Sequence, residues 1–174
     1  GDLLLSLKNQ VEPYEKNKGE TKRIADEITE ELGKAVKRMK LSFKEVEKHC
    51  KKILGRFKQI PVDKTNKVRV GVVGEIYVKF SALGNNGLEE LLLKEGAEPV
   101  VPGLMDFFIY TVYAKITDCK LFGLNRKMLP VFTFLYKFLL AKQRRFIGVI
   151  KSCEVFDAPT PFDEIVKLVD GYID

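Results

Sequence analysis

The sequence predicts a helix-rich α/β chain: an N-terminal helical hairpin, then a Rossmann-like βαβ unit with a short parallel sheet, then additional helices. Three observations predict it. Between Thr21 and Phe57 the apolar residues recur at helical spacing over two successive segments. Between Lys67 and Pro102 two β-branched runs flank a short leucine-rich segment. Beyond Gly103 an aromatic-rich stretch and a longer apolar one complete the chain as helices. At 174 residues there is room for one good core, or for one core with a helical appendage.

Asp2 to Gln10 places Leu3, Leu4 and Leu7 on one side of a short amphipathic helix. Pro13 and Gly19 bracket the polar segment that ends it. Thr21 opens a long helix with Ile24, Ile28, Leu32, Ala35, Val36 and Met39 in a 3.6-residue stripe, and Lys40-Leu41 makes the turn. Ser42-Phe43-Lys44-Glu45 has the pattern of a capping box, in which the serine oxygen accepts the Glu45 amide and the glutamate reaches back. The next helix carries Phe43, Val46, Cys50, Ile53, Leu54 and Phe57 along one face. Amphipathic helices joined so tightly are expected to pack as an antiparallel hairpin. The predicted organisation is a helical hairpin region over 1–60, a polar connector over 61–66, and a partial α/β domain over 67–174.

Valine at 68, 70, 72 and 73, ending in Gly74-Glu75, predicts a strand covered on both faces, as in a parallel sheet. Asn85-Asn86-Gly87 offers the cap for a helix bearing Leu88, Leu91, Leu92 and Leu93. Gly96 closes that helix, and Glu98-Pro99-Val100-Val101 returns to the sheet. The loop after the first strand, Gly74 to Asn86, is where open α/β sheets place ligands. Its candidate contacts to a ligand or partner are Glu75, Tyr77, Asn85 and Asn86. The plainer expectation is that the same residues cap the helix and satisfy loop backbone. Tyr14, in a Pro-Tyr turn beside Glu15, is a further candidate for partner contact. Two strands do not finish a parallel sheet, and the chain opens on Gly1-Asp2 rather than Met, so a part of a larger α/β domain is expected.

Gly103 to Phe122, with Phe107, Phe108, Tyr110 and Tyr113, predicts a largely buried helix, and Gly123 and Asn125 break it. Arg126 to about Ser152 predicts a longer helix, apolar through Leu140 and basic at Lys142, Arg144 and Arg145. Thr160-Pro161 opens the last helix with proline at its first position, Asp163 and Glu164 in its first turn, and an apolar side of Ile165, Val166, Leu168 and Val169.

Composition narrows the function classes. Most of the +6 net charge falls in residues 1–66, where bases and acids interleave without an aromatic-studded stripe. That pattern suits solvated helix faces and not a nucleic-acid reader. No apolar run approaches the roughly 20 residues of a membrane span, and no signal peptide is evident, so cytoplasm is the expected compartment. Cys50, Cys119 and Cys153 show neither a CxxC pair nor zinc-finger spacing. Cys50 lies on an apolar stripe and is expected to be a small buried hydrophobe. Cys119 and Cys153, near element ends, are the better-placed metal candidates, but two thiolates do not hold a cluster. His49 has no carboxylate or nucleophile placed beside it, and Lys142 to Arg145 suits the solvated end of a helix better than a phosphate site. There is no Walker-type loop, and Gly71-Val72-Val73-Gly74 is too short for a dinucleotide fingerprint. No catalytic residue and no cofactor are expected in this chain.

Several strings fall in a familiar order over about residues 12–110: Glu12-Pro13-Tyr14-Glu15, Gly74 to Phe80, Asn85-Asn86, Glu95 to Pro102, and Asp106 to Tyr110. With these the chain resembles the activator-related proteins of the 2-hydroxyacyl-CoA dehydratase system, the 2-hydroxyglutaryl-CoA dehydratase activator family, or CoA-substrate-specific enzyme activases, of anaerobes. Glu12 stands where the family pattern has arginine, and the family's later glycine-rich and cysteine-containing motifs do not occur in this sequence. The resemblance implies electron delivery to a dehydratase, driven by an ATPase domain with a 4Fe–4S cluster. It assigns cluster and ATP to other parts of that system. For this chain it implies a non-catalytic scaffold or docking segment whose partners are other domains or subunits, with self-association as a further expectation. The alternative is a stand-alone α/β module that binds an acyl-CoA or a nucleotide at the loop after the first strand.

Overall fold

The computed structural model describes residues 1–37, 42–63 and 65–169. The architecture is helix-rich α/β, with an N-terminal helical segment and a parallel sheet of two strands. Gly1–Pro102 and Val149–Asp157 form one compact unit; Gly103–Gly148 and Ala158–Asp174 form a second.

In the first unit, helix α1 (Asp2–Val11) buries Leu3, Leu7 and Val11, one residue per turn. It packs against α2 (Glu20–Val36) and α3 (Phe43–Lys58). The latter two form the expected antiparallel hairpin, because their ion pairs run in reverse order. Arg56 reaches Glu27 and Glu31, while Lys52, one turn earlier on α3, meets Glu31 at 2.8 Å. The Ser42–Glu45 capping box is formed. Ile24, Ala25 and Ile28 are buried on α2, and Cys50, Ile53, Leu54 and Phe57 on α3. The α2 stripe loses its cover beyond Ile28, and Val36 is exposed. The predicted stripe position Met39 and the turn at Lys40-Leu41 lie outside the described residues.

The connector over 61–66 is not where the compact units divide. It is tied back to the segment after α1: Lys16 N donates to Pro61 O at 2.9 Å, and Asp63 N to Tyr14 O at 2.7 Å. Glu15 and Val62 form an isolated antiparallel bridge. The division falls after Pro102 instead.

Strands β1 (Arg69–Gly71) and β2 (Glu98–Val100) pair in parallel, with Arg69 opposite Glu98, Val70 opposite Pro99 and Gly71 opposite Val100. The segment between them folds into three short helices, α4 (Ile76–Phe80), α5 (Ala82–Asn85) and α6 (Leu88–Lys94), where the sequence suggests an irregular loop and one helix. Gly96 ends α6 as expected. It sits at φ 78°, its N–H bonds Leu93 O, and Ala97 N bonds Leu92 O, the paired bonds of a Schellman stop. The expectation of a first strand buried on both faces fails. Val72 is buried, but Val68 is 74 % and Val73 78 % exposed. Among the described residues the helices packed most extensively against this pair, α1 and α6, lie on β2, and β1 has a single strand neighbour.

In the second unit, α7 (Leu104–Leu121) buries only Ile109, Ile116 and Cys119. Phe108, Tyr110 and Leu121 remain exposed, so the largely buried helix is not found. Apolar residues on every side do not create neighbours on every side. A one-turn 3-10 segment, Arg126–Met128, leads into α8 (Leu129–Lys151). α8 meets α9 (Phe162–Val169) through buried Gln143, whose Oε1 accepts Phe162 N at 3.0 Å, and through Arg144, which pairs with Asp163 at 2.6 Å. Tyr113, Tyr136 and Phe162 pack ring to ring, with centroids 5.7 to 6.5 Å apart. Pro161 precedes α9 as its cap, since Glu164 N and Ile165 N both bond its carbonyl. No helix among the described residues is long and apolar enough to cross a membrane.

Candidate functional site

The densest group of long-range polar contacts in the first unit gathers around Glu98, the first residue of β2. Both of its carboxylate oxygens are engaged although the residue is buried. Tyr14, at the end of the 3-10 turn Glu12–Tyr14, donates its hydroxyl to Oε2 at 2.7 Å. Arg69, the parallel register partner on β1, reaches Oε1 through Nε at 3.1 Å. The same guanidinium extends Nη1 to Asp157 at 3.0 Å. The Asp157 backbone is held in turn by Gln10, whose amide donates to Asp157 O at 3.0 Å and accepts from Asp157 N at 2.8 Å. Lys67 Nζ lies 5.9 Å from the Tyr14 ring centre. Next in the chain, buried Glu15 accepts from Gly19 N at 2.6 Å and from Thr21 N at 2.8 Å, closing the start of α2.

The chemistry of this cluster is that of a fastener. Burial, and then the hydrogen bond and charge of Glu98, push the Tyr14 hydroxyl up to about 12. Near neutrality it is therefore a phenol that keeps its proton and donates a hydrogen bond to Glu98. A buried carboxylate is tolerated here because each oxygen has a donor, one of them cationic.

The loop candidates are placed differently. Asn85 is committed to its own turn: Nδ2 donates to Val78 O at 2.9 Å, and Oδ1 accepts from Gly87 N at 3.1 Å and Leu88 N at 3.3 Å. Asn86 is exposed with φ 53°, a left-handed position that asparagine tolerates. Glu75 is exposed at the cap position of α4, without a side-chain capping bond. Tyr77 is largely exposed, and its ring covers Gly84 so closely that a Cβ there would lie 2.7 Å from it. Tyr14 is thus the sequence candidate that joins a cluster, while Glu75, Tyr77, Asn85 and Asn86 stay on the α4–α6 segment. Sequence reasoning missed Arg69, Glu98, Asp157 and Gln10. The available signal was an opposite-charge pair at the head of each strand, which becomes meaningful only once the register is known.

Among the described residues no three His, Cys, Asp or Glu side chains gather as a metal site. Cys50 and Cys119 are buried, and burial pushes the Cys50 thiol up, away from the thiolate form that ligates iron. Cys119 belongs to the second unit, where its Sγ lies 3.7 Å from Asn125 O, and Cys153 to the first. His49 lines a shallow hollow on the hairpin with Ile28, Glu31, Leu32, Lys52, Ile53 and Arg56, of about 10 Å³, the room of a single water. No family model, curated protein or solved structure matches this chain.

Proposed function

We propose that this chain is a non-catalytic docking segment whose β1 edge receives a strand from another domain or subunit. The observation that carries this reading is the open edge itself. Val68 O accepts from Glu98 N at 2.8 Å and Val72 N donates to Val100 O at 2.9 Å, so these residues turn their backbone groups toward β2. By the two-residue alternation of a strand, the N–H and C=O groups of Arg69, Gly71 and Val73 face the other way. Arg69, Gly71 and Val73 are exposed. Strand addition to such an edge is a recurrent mode of association, and parallel sheets are ordinarily wider and covered. In this reading the βαβ unit belongs to a Rossmann-like sheet completed by its partner. The sequence resemblance supplies the partner class, the ATPase and dehydratase components of a 2-hydroxyacyl-CoA dehydratase system, with cluster and nucleotide held there.

Hydrogen-exchange mass spectrometry of the chain, alone and mixed with those components, tests it. Slowed exchange confined to residues 67–73 on mixing is the expected result. Unchanged exchange with every component would overturn the docking role. Protection and a raised melting temperature on adding an acyl-CoA or a nucleotide alone would favour the stand-alone binding module instead.

A further inference from the structure

Helix α4 is a short turn of Ile76, Tyr77, Val78, Lys79 and Phe80, and the residue it buries is the lysine. Lys79 is 9 % exposed, whereas Tyr77 is 58 % exposed. Apolar side chains are ordinarily the ones turned inward. Among the described residues the Lys79 ammonium has no hydrogen bond and no ion pair. Its Nζ lies 5.6 Å from the Phe80 ring centre, a contact that supplies no full negative charge. The acids of the crossover between β1 and β2 are placed elsewhere. Glu75, four residues before Lys79 and so at a spacing that favours a pair, is exposed and forms no pair with it. Asn9 holds Glu89, Tyr14 and Arg69 hold Glu98, and Glu90 and Glu95 are exposed. The described side-chain atoms that are fully buried without a hydrogen bond are Asn9 Oδ1, Glu12 Oε2, Thr21 Oγ1 and Asp163 Oδ1. Lys79 Nζ is not one of them, so the stem is covered while the ammonium still meets the outside.

We infer that Lys79 is the cation of a binding site for a small oxyanion, a phosphate or carboxylate group of a ligand. An ammonium in a mostly covered position loses much of its hydration, and proteins offset that loss with an opposite charge. The fold supplies none at Lys79, so the matching charge comes from a bound anion. The place agrees with the chemistry. Lys79 N bonds Glu75 O at 3.0 Å in the turn that follows the carboxyl end of β1. Open α/β sheets receive their ligands at such ends. A lysine ammonium presents three donors from one compact charge, which suits an oxygen-rich anion. The inference goes beyond the docking role and does not rest on it.

The test is thermal melting of the full chain, followed by circular dichroism, in sodium pyrophosphate and in sodium citrate. Each is compared with sodium chloride at equal ionic strength. A saturable rise in melting temperature with at least one of the two oxyanions is expected. A rise with pyrophosphate alone identifies a phosphate ligand, and with citrate alone a carboxylate one. Lys79→Met keeps a stem of similar length without the charge and should weaken the apparent affinity about tenfold or more. Lys79→Arg should retain most of it. General salting-out does not depend on one residue, so the methionine variant separates it from binding. In chloride, Lys79→Met should be at least as stable as the parent, because no ion pair is lost. A loss of stability there that Lys79→Arg restores would reveal a partner within the fold and overturn the inference. So would a rise that survives in Lys79→Met, or no rise beyond chloride with either anion. Hydrogen exchange at residues 67–73 reads the docking role separately. Anion binding without protection at those residues leaves that role standing, and absence of docking leaves this site standing.

Discussion

The helices of residues 104–169 are richer in apolar residues than those of residues 2–58, and the two sets use them differently. Each of α1, α2 and α3 turns one stripe inward, and charges flanking the stripes of α2 and α3 pair across the hairpin, as Arg56 does with Glu27 and Glu31. α7 and α8 carry apolar residues around their circumference, so burying Ile109, Ile116 or Ile147 leaves Phe108, Leu121 and Phe134 in water. The polar contacts differ as well. The first unit is pinned between positions far apart in the chain, Tyr14 to Glu98, Gln10 to Asp157 and Asn9 to Glu89. The second concentrates on two α8 residues, Gln143 and Arg144, that hold the head of α9. Apolar content alone does not set burial; the number of neighbours a segment acquires does.

The largest effect that could break this contrast is in the cores. Phe57 is 1 % exposed on α3, and Phe57→Ala should cost about 3–5 kcal/mol by leaving a cavity. Phe134→Ala should stay within about 0.5 kcal/mol. Urea denaturation of both variants checks the pair, and equal losses would erase the distinction between the two regions. Next comes the buried carboxylate that starts α2. Glu15→Ala leaves the Gly19 and Thr21 amides without their acceptor and should cost about 1–3 kcal/mol. A loss no larger than that of an exposed acid such as Glu30→Ala would show that the amides find other partners.

The smallest effect sharpens the role of the cluster at Glu98. Tyr14→Phe removes one donor from Glu98 and should cost about 0.5–1.5 kcal/mol near neutrality. The Tyr14 hydroxyl rises on folding from 10.0 to about 12, which favours the protonated phenol in the fold. Its contribution is complete below pH 10 and disappears as pH rises through about 12, since the unfolded chain gives up the proton first. Burial raises the Tyr136 hydroxyl too, so the parent's alkaline limb has more than one source. Urea midpoints across that window should fall less steeply for Tyr14→Phe than for the parent. Parallel limbs would mean that the hydrogen bond to Glu98 contributes nothing.

Local signals carried much of the first unit. The capping box at Ser42 and the glycine stop at Gly96 are each written in a few adjacent residues, and each forms as written. The cap of α6 falls on Gly87 within the Asn-Asn-Gly turn, and Asn85 Oδ1 accepts from Gly87 N and Leu88 N. In the polar segment 61–66, composition does not reveal that Pro61 and Asp63 bond back to the segment after α1. The valines of the first strand mislead for the same reason. Their β-branched character favours an extended backbone, but whether a face is covered depends on elements elsewhere in the chain. The candidate site is less legible still, for Arg69 and Glu98 are 29 positions apart and Tyr14 and Glu98 are 84 apart.

By itself the sequence determined the helices of the hairpin, their caps, their inward stripes and the existence of a strand–helix–strand unit, because propensity, capping and periodicity act within a few residues. Only the tertiary structure decided the register that sets Arg69 against Glu98, the recruitment of Tyr14 and Asp157 to that pair, and which apolar faces remain open. Those depend on contacts between distant segments, whose free energy no local pattern encodes.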